Sequence, residues 1–381
     1  MHGHFDTATL LADGRVLMTG DNTVVDNQDV YTTLAELYDP GTGVFAPTGS
    51  LLHALEGATA TRLQDGRVLI AGGIVTDALD SPDASSAEIY DPATGKFTAT
   101  GSLVQQRNDH TATLLGNGEV LIAGGWGVGG GPELATAELY DPKSGTFKPT
   151  GPMASTRMRA TATLLADGRA MVFGGLGPTY KGMSTVELYD SRTGAFSPAG
   201  SVPAWEQGQI VTLLADGDVL TEGGTSGGGA MAYELYDPAT GSFRFAGSAN
   251  IDRSDGMGVL LANGQVLIAG GAYSPHEGDV QPGPHVGTVA FASSGGRERY
   301  DLPAPTRASG SGAIAYVPPV TIFATAELYD PTTGKFTRTG SLSHPRDGAT
   351  VTLLLDGRVL IAGGRTGTGL TTDLTAELYQ P

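Results

Sequence analysis

The chain has 381 residues, 40 acidic and 22 basic side chains, a formal net charge of −18 and no cysteine. That charge argues against nucleic acid and anionic membrane surfaces as partners, since both reward basic patches. The missing cysteine rules out disulfides, and no apolar run approaches the length of a membrane span.

Met1–Asp6 (MHGHFD) leads directly into a predicted strand over Thr7–Leu11, so no signal peptide is expected in these residues. At Asp13 begins DGRVLMTGD, the first of seven related stretches. The others start at Asp65 (DGRVLIAGG), Asn117 (NGEVLIAGG), Asp167 (DGRAMVFGG), Asp216 (DGDVLTEGG), Asn263 (NGQVLIAGG) and Asp356 (DGRVLIAGG). A period near 50 residues signals a stacked or closed array of small units.

The second copy shows the unit. The Asp-Gly pair between two apolar runs predicts a hairpin of Thr59–Leu63 with Val68–Ala71, closed by a tight primed turn in which Gly takes a positive φ and Asp tolerates one. Gly72 and Gly73 end the second strand. Ala87–Tyr90 is a third strand, Asp91-Pro92 opens a turn with Gly95 in the left-handed position, and Lys96–Thr100 is a fourth. Four antiparallel strands in one repeat make a propeller blade. The second half recurs at Ala35, Ala87, Ala137, Val186, Tyr233, Ala326 and Ala376, mostly as AELYDPxTGxF. Gly at 58 of 381 positions, with no apolar period of 3.6, predicts almost no helix.

Blades are expected to start near residues 7, 59, 111, 161, 210, 257 and 350, and to form one domain over residues 1–381. The hairpin spacing is 93 between the sixth and seventh copies against 47 to 52 elsewhere. The excess, Ala272–Thr325, is rich in Pro, Gly and Ser, with two candidate strands at Val286–Ala292 and Gly312–Val317. It reads as an elaborated loop over one face, or alternatively as a degenerate eighth blade. The first blade begins with an inner strand and the last finishes on a third strand, so a three-stranded seventh blade with no strand lent by the N-terminus is expected.

The Gly-Gly after an apolar strand, the recurring Tyr and the aromatic of the fourth strand resemble the kelch repeat. The YDPxTGxF variant is similar to bacterial kelch-like proteins, related in fold to the central domain of galactose oxidase. The resemblance covers nearly the whole chain and implies an all-β, seven-bladed propeller. It leans toward a monomeric secreted or cell-surface protein, with a cytoplasmic one left open. The copper-radical oxidases of this fold class rely on a Tyr–Cys cross-link, which a chain without cysteine cannot form.

The Asp-Gly and DPxTG turns are short and uniform and should share one face as scaffold. The loops after Gly-Gly and the crossings between blades vary, and should surround the channel mouth on the opposite face, where binding belongs. All seven histidines fall in the variable segments: His2, His4, His53, His110, His276, His285 and His344. So do Trp126 and Trp205. Arg107, Arg157, Arg253 and Arg346 recur just before a first strand. They read as a ring that recognises carboxylate or sulfate, or as a structural ring bonded to loop carbonyls and to carboxylates such as Asp109, Asp255 and Asp347. Glu222 replaces small or apolar residues of the other copies, as a general acid or base, a metal ligand or half of a local salt bridge. His276, Glu277, Asp279 and His285 offer ligands for zinc or another transition ion. Asp21–Asp29 and Asp77–Asp83 offer oxygens for calcium. There is no P-loop, dinucleotide fingerprint or nucleophile elbow.

Three functions stay open. The first is a binding module for a glycan or protein ligand, using Trp126, Trp205, Arg107, Arg157, Arg253 and Arg346, with His53 and His344 on the same face. The second is a lyase, hydrolase or epimerase on carbohydrate or a small acid, with His110 as base, Arg107 neutralising charge and Glu222 as acid or second base. The third is a protein-interaction scaffold.

Overall fold

The computed structural model describes residues 7–20, 22–25, 28–75, 85–127, 131–178, 181–201, 210–225, 231–251, 253, 255–273, 321–366, 371–372 and 375–381. The expectations for residues 274–320, for Asp77–Asp83 and for His2, His4 and Trp205 lie outside these residues, as do those for His276, Glu277, Asp279 and His285.

Seven antiparallel sheets form a ring, with no helix among the described residues. Blade 3 is representative. Thr111–Leu114 pairs with Val120–Ala123, which pairs with Ala137–Asp141, which pairs with Thr146–Thr150. The first six blades have four such strands. The seventh has three among the described residues, Thr350–Leu353, Val359–Ala362 and Ala376–Tyr379.

The second strand explains why the ring holds. It reads VLIA in most copies and is buried throughout. A strand buried on both faces reads as a continuous apolar run. In blade 2, Val68 and Ile70 pack with Leu17 and Leu37 of blade 1, while Leu69 and Ala71 pack with Val120 and Ile122 of blade 3. Each fully buried aliphatic side chain of this kind contributes roughly 1.5–3 kcal/mol. The pattern repeats at every blade boundary. The ring closes the same way, with Val16 and Met18 of blade 1 against Leu354, Leu360 and Ala362 of blade 7. Among the described residues the two ends of the ring meet by this packing.

The uniform turns lie together on one face. Arg169 of one Asp-Gly hairpin donates to the Pro238 carbonyl in the next blade's DPxTG turn at 3.0 Å, and Arg358 of blade 7 donates to that of Pro40 in blade 1 at 2.7 Å. The DPxTG turn behaves as expected: Asp91 Oδ1 accepts the Ala93 amide at 2.9 Å, and Gly95 is left-handed at φ 66°. The Asp-Gly turn differs from the expected primed type. Only Gly66 has positive φ, at 88°, and Leu63 receives the Gly66 amide while its own amide donates to the Arg67 carbonyl. This is the longer hairpin loop with one left-handed glycine. Asp65 keeps ordinary backbone angles and uses its carboxylate to accept the Arg67 amide at 3.1 Å.

Where a fourth strand ends, the chain passes close to the next blade. Gly101 donates its amide to the Gly145 carbonyl at 2.9 Å, and a Cβ at Gly101 would overlap that oxygen. Gly101→Ala is expected to lower the unfolding free energy by about 1–3 kcal/mol through overpacking. Gly116→Ala, with open space around its Cβ, should change it by about 0.5 kcal/mol or less. Urea unfolding of the two variants checks the difference.

Candidate functional site

The four recurring arginines are fully buried, at 0 % exposure. Arg157 donates through Nη1 to the Gly174 and Thr185 carbonyls, both at 3.0 Å, and through Nη2 to Thr185 Oγ1 at 3.1 Å and Glu187 Oε1 at 2.7 Å. Arg107 makes the same set with Gly124, Thr136 and Glu138, and Arg253 with Gly270, Thr325 and Glu327. Arg346 repeats it with Gly363, Thr375 and Glu377. The acceptors are carbonyls and the Glu of the AELYD strand, and the expected aspartates are not among them. Burial pulls the Arg107 and Arg157 values below the ordinary one, while Glu138 and Glu187 oppose it.

The locks at Arg107, Arg157 and Arg346 also join two blades. The Arg157 carbonyl accepts the Gly125 amide of the preceding blade at 2.8 Å, and that of Arg107 accepts the Gly73 amide at 3.0 Å. The paired glycines are needed for this approach, since a side chain at Gly72 or Gly124 would run into the arginine carbonyl. With Nη1 and Nη2 bonded inside the fold, these arginine side chains are closed to solvent. The bonds they make are those of a structural lock.

Two residues after each arginine position the chain reaches the channel rim in a left-handed conformation. Glycine takes it at Gly57 and Gly348. Asp109, Arg159 and Asp255 take it with side chains, at φ 51°, 52° and 52°. A bulky residue held there is uncommon and points to a constraint worth explaining. These residues bond around the rim: Asp109 donates its amide to the Gly57 carbonyl at 3.0 Å, and Arg159 to that of Asp109 at 2.8 Å. One residue earlier, the chain bridges to the loop after Gly-Gly, Asn108 with Trp126, Met158 with Leu176 and Asp347 with Arg365. The repeat thus sets side chains of two loops per blade around one opening.

What gathers there is polar and mixed in sign. Arg159 of blade 4 donates through Nε to Asp109 of blade 3 at 3.0 Å, with side-chain exposures of 43 % and 21 %. Arg365 donates to both oxygens of Asp347 at 3.1 and 3.2 Å, with exposures of 41 % and 9 %. Asp255, part-buried in blade 6, feels Asp347, Arg365 and Arg159 together. Burial, then repulsion from Asp347, pushes its carboxyl up to about 6, with the two arginines pulling the other way. Trp126 is part-exposed on the same rim, and its Nε1 donates to the Gly131 carbonyl.

The other sequence candidates are placed elsewhere. His110 lies beneath the rim, 6 % exposed, with Nε2 against Thr59 Oγ1 at 3.0 Å and its ring under Gly72. Burial, and secondarily Arg107, lowers its value to about 3. It is neutral near pH 7 and almost wholly buried. Glu222 is 1 % exposed and accepts the Ile210 amide at 3.3 Å, within blade 5. His53 and His344 lie in crossings over the third strands, away from the rim. The His53 amide donates to Glu88 at 3.3 Å, and the amide of Ser343, next to His344, donates to Glu377 at 2.7 Å. The rim residues Arg159 and Arg365 escaped the sequence reading. The signal was the offset of two from each arginine position, where Gly, Asp, Arg, Asp and Gly alternate, a composition that marks left-handed backbone.

The fold has clear counterparts among solved structures. One is described as a novel fungal alcohol oxidase with catalytic diversity among the AA5 family, in complex with copper. The likeness has a TM-score of 0.68 at 18% identity, and covers 100% of this chain and 76% of that one. Another is the structure of YjhT, with a TM-score of 0.56 at 16% identity, covering 85% of this chain and 94% of that one. The chain has a β-propeller fold. At these identities the likeness is one of fold. No family model matches the chain, and no curated protein sequence matches it. The copper is that oxidase's own. The chain has no cysteine, and among the described residues no group of three His, Cys, Asp or Glu could hold a metal.

Proposed function

We propose that this kelch-like propeller is a binding module that holds a glycan at the channel mouth on its variable-loop face. The observation that carries the reading is the convergence of Asp109, Arg159, Asp255, Asp347 and Arg365, from four blades, on one rim with both guanidiniums partly exposed. Carboxylates accept and guanidiniums donate in planar pairs, which suits the vicinal hydroxyls of a saccharide. Trp126 adds an apolar ring beside them.

A printed array of neutral and acidic oligosaccharides tests the proposal. Retention of a chemically related set is expected; an array with no retained glycan removes it. Arg159→Ala should weaken retention at least about tenfold, the effect of losing one charged hydrogen bond. It should change stability by less than about 1 kcal/mol, since the Asp109 pair is exposed.

One observation favours catalysis at the same rim. An aspartic acid whose carboxyl titrates near 6, beside a second carboxylate held by an arginine, is the pairing that general acid–base chemistry uses. In that reading Asp255 is the acid, in place of His110 or Glu222. Loss of glycan hydrolysis in Asp255→Asn with retention on the array unchanged would support it; no hydrolysis by the wild type would end it.

A further inference from the structure

Where a fourth strand ends, a threonine seals it against the next blade. Thr48, Thr100 and Thr150, each three residues after the strand's Phe, set Oγ1 2.9, 2.9 and 2.7 Å from the hydroxyls of Tyr90, Tyr140 and Tyr189 in the following blade. Thr100 and Thr150 also donate to the Gly145 and Gly194 carbonyls of that blade's last turn, at 3.3 and 3.2 Å. The next residues, Gly49, Gly101 and Gly151, donate their amides to the carbonyls of Gly95, Gly145 and Gly194 at 2.9, 2.9 and 3.0 Å.

The boundary between blades 4 and 5 is built differently. Ala199 stands where the threonines do, so the partner that Tyr236 would meet is missing. The fourth strand of blade 4, Ala195–Ser201, runs to seven residues, against four in Lys96–Ala99 of blade 2. It stays with its own blade, Ser201 opposite Thr185 beyond a register shift, and Gly200 takes φ 103°. Gly200 thereby draws away from the Gly241 carbonyl. A Cβ at Gly101 would overlap the Gly145 oxygen, whereas one at Gly200 would meet only the Phe243 ring. Between blades 5 and 6 an alanine, Ala246, also replaces the threonine, but Gly247 still lies against the Gly334 carbonyl. Both changes come together between blades 4 and 5, and an open cleft of about 400 Å³ lies there, within the size range of small-molecule sites.

We infer that this cleft binds a small neutral polyol of monosaccharide size, with one hydroxyl between Tyr236 Oη and the Gly241 carbonyl and its C–H face on Pro198 and Ala199. All four residues line the cleft, and Tyr236 is held in place by burial to 1 % exposure. A hydroxyl is what this phenol–carbonyl pair binds elsewhere in the molecule, because it accepts from the one and donates to the other. An anion fits poorly. It would face a carbonyl oxygen, and the one cation lining the cleft, Arg169, is already paired with Asp167 at 2.6 Å and donates to the Pro238 carbonyl at 3.0 Å. The cleft lies beside the uniform turns, on the face opposite the channel mouth, and the inference stands apart from the reading of the rim.

The test is saturation-transfer NMR of the full chain with free glucose, galactose and mannose, each titrated separately. Saturable transfer to at least one is expected, with a Kd of about 1–5 mM, as ordinary ligand efficiency gives for a molecule of this size. Tyr236→Phe should weaken that binding at least about fivefold, the loss of one neutral hydrogen bond. Ala199→Thr, which restores the hydroxyl found at the other boundaries, should abolish it, and Tyr236→Phe decides the matter if that variant does not fold. Amide exchange at residues 239–242 should slow when the sugar is bound. No transfer to any of the three up to about 50 mM overturns the inference. So does transfer that either folded variant leaves unchanged, which would place the sugar elsewhere on the molecule.

Discussion

Replacing Arg157 with leucine is expected to lower the unfolding free energy by about 3–5 kcal/mol, because it strands Glu187 as a buried carboxylate without its partner. The loss has three parts. Glu187 is 3 % exposed, so water cannot replace the guanidinium. The Gly174 and Thr185 carbonyls lose their donor at the same time. The crossing that carries Arg157 also supplies the carbonyl that binds Gly125 of the preceding blade, so loosening it weakens a blade boundary. Urea unfolding followed by circular dichroism measures the effect. A change below about 1 kcal/mol, the size expected of an exposed ion pair, would contradict the buried-lock account and return Arg157 to the list of ligand-facing residues.

Acid is expected to destabilise the protein through His110. Its folded value is about 3, against an ordinary 6.5. The unfolded chain therefore takes the proton first as pH falls. The stability linked to neutral His110 is fully present above pH 6.5 and is lost progressively toward about 3. The slope from this one group is about 1.4 kcal/mol per pH unit. Asp255 works the other way. Its folded value is raised from 3.8 to about 6, so its contribution is fully present below 3.8 and is lost as pH rises through about 6. The two overlap, and the clean readout is a difference. Urea unfolding of the wild type and of His110→Gln between pH 7 and pH 4.5 should show a shallower fall in the variant. Parallel curves would mean that His110 carries no proton-linked stability.

The architecture was legible because the unit is written seven times. Repetition let the Asp-Gly hairpin, the Gly-Gly strand end and the YDPxTG turn be read as one blade. The Asp-Gly turn type was misread because Asp65 has a second use for its carboxylate, capping Arg67, that does not need a positive φ. The site was harder. The four recurring arginines drew attention because charge on a rim suggests a ligand, yet recurrence is what a structural lock needs too. A one-dimensional pattern does not say whether a guanidinium points into a channel or into its own blade. Glu138, Glu187 and Glu327 were the overlooked partners. They are hidden in AELYD or VELYD, where alternation makes the Glu look outward, while the crossing from the preceding blade covers it. The rim residues Arg159 and Arg365 occur once each, in different sequence contexts. Only the ring brings Arg159 beside Asp109 and within the field of Asp255.

The central claim is that ligands are held at the variable-loop mouth. Binding of the best-retained array glycan by wild type, Arg159→Ala, Arg365→Ala and Arg67→Ala, compared by titration calorimetry, tests it most directly. Arg67 sits on the opposite face, paired with Asp65 in its hairpin. The account predicts affinity at least about tenfold lower for both rim variants and unchanged for Arg67→Ala. Unchanged affinity in both rim variants, or a loss confined to Arg67→Ala, would contradict it and move the binding site off the channel mouth.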